Sequence, residues 1–389
     1  MFLAHSSSEI KGGKIVQEFS IEMGKVCLND VPDARYLNLE ITNRCNLNCG
    51  MCFKQYWEDE EGDMDMSLFM KILYDAEMFK DLRMVYFGGI GEPLLHPRFM
   101  EMVRLCREQG HAVGISTNGY LLTDETMSAF IDLGVDLIYF SMDVIPMMPT
   151  ALGHAISEDT AKKLARLRDM KNERQSDLPH IGVEAVITRE NYLHLFELAE
   201  YTKQFEIQAM IFSNLLPPNK AFSNLIVYDG TVDLSEQLHK VYIKSCEDRG
   251  FLLKLPQFSL RTERHCDFIE KKTAVVRWDG EVAPCYRFLH TYPEVIFGRD
   301  KRVSAVTFGN LRKKSLREIW TSRPYLYFRY VVSHALYPSC TDCPLVDACA
   351  YVKGTEMDCW SNMPSCGDCL WARKIILCPV PVESFGKFR

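Results

Sequence analysis

The stretch CNLNCGMC, residues 45–52, places Cys45, Cys49 and Cys52 in a C-x3-C-x2-C pattern. The chain holds 15 cysteines in 389 residues, so chance puts two more at two fixed offsets from a first with a probability of roughly 0.0015. Three thiolates on one tight loop can hold three irons of a cubic [4Fe–4S] cluster. The fourth iron then lacks a protein ligand, which makes it a place for chemistry as well as for electron storage. A zinc site is the main rival, although structural zinc wants four ligands and usually pairs of close cysteines.

Outward from this loop an α/β rhythm runs along the chain. YLNLEIT (36–42) alternates as a strand and runs straight into the cysteines. Further strands are expected at 84–88, 112–117, 135–143, 180–188 and 207–215, with helices at 67–79, 97–110, 123–134, 157–170 and 191–205 between them. Six such units imply a parallel sheet with right-handed crossovers, whose sites gather at the C-terminal ends of the strands. Before them, residues 14–28 read as two short strands around Met23-Gly24, with Cys27 as a small buried hydrophobe. After residue 260 a hairpin is expected over 273–287, with Asp279-Gly280 as a type I′ turn. SLREIW (315–320) opens a helix on a capping box. The remaining tail is poor in periodic runs and rich in Cys, as in segments that fold around metal.

Composition excludes several classes. The formal net charge of −7 gives no general affinity for nucleic acid. No apolar run is long enough for a membrane span or a signal peptide, so a cytoplasmic location is expected, where thiols stay reduced and serve metals. Nine cysteines lie after residue 265. The run EDEEGDMD (58–65) reads as a solvated loop, Cys106 and Cys246 as helix core, and His96 and His265 as structural.

Polar and glycine-rich turns follow the strands on the expected rim. The second strand ends in GGIGEP, with Gly88, Gly89, Gly91 and Glu92. Glycines let backbone approach a ligand closely, and the same residues also make an ordinary turn. The third ends in STNG with Asn118, and the fourth in FSMD with Ser141 and Asp143. Either could be simple helix capping. Glu184, in GVEAVIT, reads equally as a ligand contact or as a buried strand Glu with a local partner.

C-x3-C-x2-C after a first strand, GGIGEP after the second and TNG after the third resemble the radical S-adenosylmethionine (SAM) superfamily over residues 36–215. Met51 departs from the aromatic that family often places before its last Cys. The resemblance implies a partial (β/α)6 barrel with SAM chelating the open iron through its amino and carboxylate groups. Reductive cleavage then gives a 5′-deoxyadenosyl radical that takes hydrogen from a substrate, with the protein holding and shielding the cofactor. It also implies that Gly88–Glu92 holds the methionine moiety, with Ser141, Asp143 and Asn118 as further SAM contacts. An electron donor such as ferredoxin or flavodoxin is implied as well.

The tail is similar to SPASM domains: Cys266, Gly280 and Cys285 fit C-x9–15-G-x4-C, and Cys340, Cys343 and Cys349 fit C-x2-C-x5-C. That pattern next wants a Cys at 353, where this chain has Lys353. Cys359, Cys366, Cys369 and Cys378 remain to complete two auxiliary [4Fe–4S] clusters, which need eight thiolates. Which of them completes which cluster is not readable, and a zinc-ribbon tail is the rival. The expected class is α/β: an N-terminal β extension (1–34), the partial barrel (35–255) and a small cysteine-rich α+β SPASM domain (256–389). Residues 53–64 and 365–379 look like the subgroup associated with tungsten-containing aldehyde oxidoreductases, which implies maturation of that enzyme or its cofactor. Modification of a ribosomally made peptide, or of another peptide or protein, is the alternative. A non-catalytic iron–sulfur electron carrier or zinc scaffold is the reading of a different class.

Overall fold

A computed structural model describes residues 8–11, 14–21, 24–145, 158–247 and 251–378. Strands β1 (Ser8–Lys11), β2 (Lys14–Ile21) and β3 (Gly24–Asn29) make an antiparallel sheet, one strand more than expected there. The expected Met23 turn, Ser157 at a helix start and the Cys246 side chain lie outside what is described. Cys27 is exposed, which corrects its reading as core: β3 alternates exposed and half-buried positions, and Cys27 falls on the exposed set.

The main sheet has β4 (Tyr36–Leu39), β5 (Met84–Phe87), β6 (Ala112–Thr117), β7 (Leu137–Ser141), β8 (His180–Ile187) and β9 (Ala209–Asn214) side by side in chain order. Every one of these pairings is parallel. Helices α1 (Met66–Ala76), α2 (Phe99–Glu108), α3 (Asp124–Asp132), α4 (Glu158–Glu173) and α5 (Leu195–Lys203) occupy the crossovers. The six β/α units are thus in place. Asp65 caps α1 by accepting from Leu68 N–H at 2.9 Å, and Thr123 caps α3.

Two additions lengthen the sheet. After α6 (Ser235–Glu247), β10 (Leu252–Lys254) adds in parallel beside β9. On the opposite edge, after α7 (Asp267–Glu270), β11 (Thr273–Val276) pairs in parallel with β4, and β12 (Val282–Ala283) closes the hairpin antiparallel to it. The cysteine-rich tail therefore enters the barrel sheet through β11. The hairpin turn is not type I′. Gly280 N–H donates to Arg277 O at 2.9 Å, and only Gly280 is left-handed (φ 94°). Asp279 keeps negative φ while its carboxylate holds Arg277. Beyond lie a hairpin of β13 (Tyr292–Ile296) and β14 (Arg299–Val303) and helices α8 (Leu316–Trp320) and α9 (Arg323–Ser333). The capping box on α8 forms as expected, Ser315 with Glu318.

Strand alternation sorts the barrel into two surfaces. Leu37, Val85, Phe87, Val113, Ile138 and Val183 belong to the large core beneath the helices. The other set faces the lumen, where Tyr36, Met84, Tyr86, Leu137, Tyr139 and Ile211 form a separate cluster. Tyr86 and Tyr139 fit because neighbouring strands offer glycines: a Cβ on Gly114 would meet the Tyr86 ring at 2.4 Å, and one on Gly182 the Tyr139 ring at 2.4 Å. Continuing the same alternation by two residues puts Gly88, Ser116, Ser141, Glu184 and Ser213 at the top of the lumen. The apolar filling thus ends in a polar layer at the C-terminal edge. Gly182→Ala is expected to destabilise the barrel by roughly 1–3 kcal/mol through overpacking, read as a lower melting temperature of the iron-loaded protein. An unchanged melting temperature would show that the Tyr139 ring has room to move.

Candidate active site

The cysteine loop leaves β4 and is clamped at its base. Met64 N–H donates to Ile41 O at 2.7 Å, Gly62 N–H to Asn43 Oδ1 at 2.9 Å, and Asn43 Nδ2 to Glu60 O at 2.8 Å. Arg44 grips Asp63 with Nε at 3.0 Å and Nη2 at 2.6 Å, a two-point geometry. Asp59 reaches His290 Nδ1 at 2.6 Å. The acidic run at 58–65 is therefore not free solvated loop, because several of its members close the cysteine loop. Within the loop, Cys52 N–H bonds Cys49 O at 3.0 Å, which turns the chain tightly between those two thiols. Burial, and then the neighbouring thiols, push Cys49 up to about 12, and burial pushes Cys52 up to about 11. Thiols crowded in this way become thiolates when a cationic metal group supplies the balancing charge.

The glycine loop after β5 lies directly on this base. Glu92 N–H donates to Arg44 O at 2.8 Å, and Ile90 N–H to Glu40 Oε2 at 3.1 Å. A Cβ on Gly91 would sit 2.1 Å from Thr42 O, so only glycine fits there. Gly89 is left-handed (φ 128°) and packs on Glu40. The Glu92 carboxylate is engaged within the protein: Leu94 N–H at 3.1 Å, Thr117 Oγ1 at 2.8 Å and Asn118 N–H at 2.8 Å all donate to it. Asn118 Nδ2 points to Asn46 Oδ1 at 2.9 Å and to Cys45 Sγ at 3.8 Å. Asn118 thus touches the cysteine loop itself.

These elements and the ends of β6 to β9 surround a cavity of about 350 Å³. Cys45, Cys49, Cys52, Gly88, Gly89, Gly91, Glu92, Asn118, Ser141 and Asp143 all line it, so every residue expected at the barrel site comes together. Two buried acids stand in its wall. Burial pushes Asp143 up to about 6 although Val186 N–H donates to it at 2.7 Å. Burial pushes Glu184 up to about 7 although Ser116 Oγ donates to it. Sequence reading left Glu184 open, and the lumen alternation of β8 is the signal that places it here.

What sequence reading missed is the wall given by the tail. Tyr286, His290, Tyr292, Trp371, Leu377 and Cys378 close the cavity. His290 is buried between Glu40 (2.9 Å from Nε2) and Asp59, with Trp57 stacked at 3.9 Å between ring centres. Burial opposes its charge, but the two carboxylates outweigh that and raise it to about 9. No spacing rule would have found His290, because its partners are 250 and 231 residues away.

The tail thiols sort into two groups. Cys266, Cys285, Cys366 and Cys369 line one small cavity with Phe268 and Phe328. Cys359 is the electrostatic neighbour of Cys340, Cys343 and Cys349, which places these four together. Among the described residues, no three His, Cys, Asp or Glu side chains close on a single metal ion. Cys378 stands in the barrel wall instead, where its sulfur accepts from Trp371 Nε1 at 2.9 Å. It is drawn there because Leu377 N–H is fastened to Ser213 Oγ on β9 at 3.0 Å. His96 (Nε2 to Met64 O, 2.9 Å) and His265 (Nδ1 to Glu270, 2.9 Å) have local partners, and Cys106 is buried. No helix among the described residues is long and apolar enough to cross a membrane.

Residues 39–186 match the family model of the radical SAM superfamily, and residues 266–344 that of the SPASM iron–sulfur cluster-binding domain. Over 356 residues the chain is 57% identical to the tungsten-containing aldehyde ferredoxin oxidoreductase cofactor-modifying protein of Pyrococcus furiosus, covering 91% of this chain and 99% of that one. It is 21% identical over 374 residues to the Fe-coproporphyrin III synthase of Methanosarcina barkeri, covering 84% and 86%. Its fold is similar to those of anSMEcpe with bound AdoMet (TM-score 0.58, 17% identity, 88% and 91% covered) and Streptococcus suis SuiB bound to S-adenosylmethionine (0.57, 18%, 82% and 74%).

The raised Glu184 gives a signed expectation. Its folded form holds a proton more tightly than the unfolded chain does, so its contribution to stability is complete below the ordinary carboxyl range and is lost as pH rises through about 7. Glu184→Gln removes that loss. The margin of the variant over wild type is expected to be larger at about pH 8.5 than at about pH 5, by an amount bounded by about 1.4 kcal/mol per pKa unit. Equal margins at both pH values would show that Glu184 titrates normally.

Proposed function

The chain belongs to the radical SAM superfamily and carries a SPASM iron–sulfur domain, and from that premise we propose that it modifies the cofactor of a tungsten-containing aldehyde oxidoreductase. The observation that carries the chemistry is the placement of Cys45, Cys49 and Cys52 on one wall of a single cavity with the Gly88–Glu92 backbone and the acids Asp143 and Glu184. The tungsten assignment is carried by the 57% identity to a relative that is matched over 99% of its length.

The residues fit the cofactors on their own terms. Three thiols form one set, and beside them the glycine loop, packed onto the base of the cysteine loop where no Cβ fits at Gly91, lines the cavity. A reduced [4Fe–4S] cluster with SAM on its open iron supplies a 5′-deoxyadenosyl radical that takes a hydrogen atom from the substrate. Cys45, Cys49 and Cys52 hold the cluster in this reading, and Asn118 donates toward the Cys45 sulfur. The backbone of Gly88 to Gly91 receives the amino acid end of SAM, and Ser141 and Asp143 bond its polar groups. Tyr286, Trp371 and Leu377 keep water from the space in which the substrate lies. A low-potential donor such as ferredoxin or flavodoxin supplies the electron. We divide the chain at residues 34/35 and 255/256, although the sheet runs on across the second division through β11.

Anaerobic, iron- and sulfide-reconstituted protein given SAM and a reductant is expected to release 5′-deoxyadenosine, and Cys45→Ala is expected to release none. Iron and sulfide near about twelve each per chain would match three clusters. The substrate assignment is checked with tungsten-dependent aldehyde oxidoreductase purified from cells lacking this protein. Its activity is expected to rise on incubation with the reconstituted protein, SAM and reductant. Release of 5′-deoxyadenosine with no change in that enzyme or its cofactor would sink the tungsten assignment and leave the radical chemistry standing.

A further inference from the structure

A second built site lies in the tail, around Arg287. This residue follows Cys285 by two positions and lines the same small cavity as Cys266, Cys285, Cys366 and Cys369. Its side chain is 1% exposed. Nη2 donates to Glu294 and to Asp368 Oδ1 at 3.1 Å. Among the described residues, Nε and Nη1 have no acceptor. An orphaned buried donor is costly unless a bound group accepts from it. The other cavity walls are mostly apolar, including Phe268, Ile269, Phe328 and Val332, so a group bound to the four sulfurs is what could accept from Nε and Nη1 in that space.

Charge counting points the same way. Asp368 lies between Cys366 and Cys369 and takes Arg287 on one oxygen and Lys301 Nζ on the other at 2.7 Å. Lys301 is spent further on Val352 O at 3.1 Å. Two cations and two carboxylates sum to zero, whereas four thiolates around an oxidised [4Fe–4S] core carry a charge of about −2. An anion of that size in an apolar cavity needs donors aimed at it. Lys353 occupies the place where the SPASM pattern has a ligand. The loop that brings Cys366 and Cys369 is the one whose Asp368 orients the guanidinium. Replacement ligands and the ion network therefore come in one segment.

We propose that Arg287 is the built-in hydrogen-bond donor of an iron–sulfur cluster held by Cys266, Cys285, Cys366 and Cys369, and that its two unpartnered N–H groups set the reduction potential of that cluster. Positive charge and sulfur-directed donors favour the more negative, one-electron-reduced core, so they raise the potential. Arg287 acts here as a positioning residue, through the cluster. This inference rests on the reading that the tail carries iron–sulfur clusters.

The test uses the full chain with Cys45, Cys49 and Cys52 changed to Ala, so that only tail clusters remain. After anaerobic reconstitution it is expected to hold about eight irons and eight sulfides. Reductive titration followed by electron paramagnetic resonance reads each cluster's potential. In that background Arg287→Lys keeps the charge but loses the planar fork, and is expected to load fully and move one signal to lower potential. Glu294→Gln removes a competing carboxylate and is expected to move the same signal upward. A fully loaded Arg287→Lys protein with unmoved potentials overturns the proposal. If Arg287→Lys loses about four irons, Glu294→Gln decides, and an unmoved potential there overturns it. A parent protein without iron and sulfide overturns the cluster reading of the tail itself.

Discussion

The cysteine loop and the glycine loop meet backbone to backbone, and the barrel mouth is arranged from that contact. Arg44 O accepts from Glu92 N–H at 2.8 Å, and Gly91 lies against Thr42 O with no room for a Cβ. The Glu92 carboxylate then fastens the end of β6 through Thr117 and Asn118. Asn118 closes the circuit by reaching Cys45 Sγ. Three chain segments are thus fixed relative to one another by polar contacts of buried and half-buried groups. Such mutual support holds a site more precisely than loops standing alone. The Glu92 side chain is best understood here: its carboxylate is taken up by Leu94, Thr117 and Asn118, so its position in GGIGEP serves the loop.

The polar layer above the lumen costs stability, and the way it is built limits that cost. Glu184 and Asp143 each keep one good hydrogen bond, from Ser116 Oγ and from Val186 N–H. Burial still raises both, Glu184 to about 7 and Asp143 to about 6, so near neutrality Glu184 is at its titration midpoint while Asp143 is mostly ionised. Two firmly charged carboxylates in one small cavity would repel each other and any anionic ligand group. Acids near their titration range can accept or donate a hydrogen bond as a bound group requires, which suits a cavity meant for zwitterionic and hydroxylic parts.

Much of the architecture was legible because it is written locally. The three cysteines lie within eight residues, the strands alternate, and Asp65, Thr123 and Ser315 announce their helices. The rim residues could be gathered because parallel strands deliver their C-terminal ends to one edge. What stayed hidden is long-range. No local pattern says that β11 pairs with β4, that Leu377 is fastened to β9, or that His290 lies between Glu40 and Asp59. The acidic run looked solvated because its partners, from Asn43 and Arg44 to His290 and Arg312, follow no local spacing rule. β10 is only three residues long, too short for an alternation to be read. Cys27 was misjudged because a cysteine in a strand says nothing about which face is covered.

One short segment joins the two cavities, and it explains why the tail is folded onto the barrel. Cys285 and Arg287 line the four-thiol cavity, whereas Tyr286 and His290 line the barrel cavity. A single turn of 3-10 helix, Tyr286–Phe288, sends Tyr286 to the barrel side and Arg287 and Phe288 to the thiol side. Tyr286 is held on its side by Asn38 Nδ2 of β4 at 3.0 Å, and His290 by Glu40 of the same strand end. Arg287 is held on the other by Glu294 and Asp368. A shift of this segment that improved one site would withdraw groups from the other. The two sites are therefore built as one unit, with a buried cation from the same six residues on each side: an imidazolium facing the barrel and a guanidinium facing the thiols.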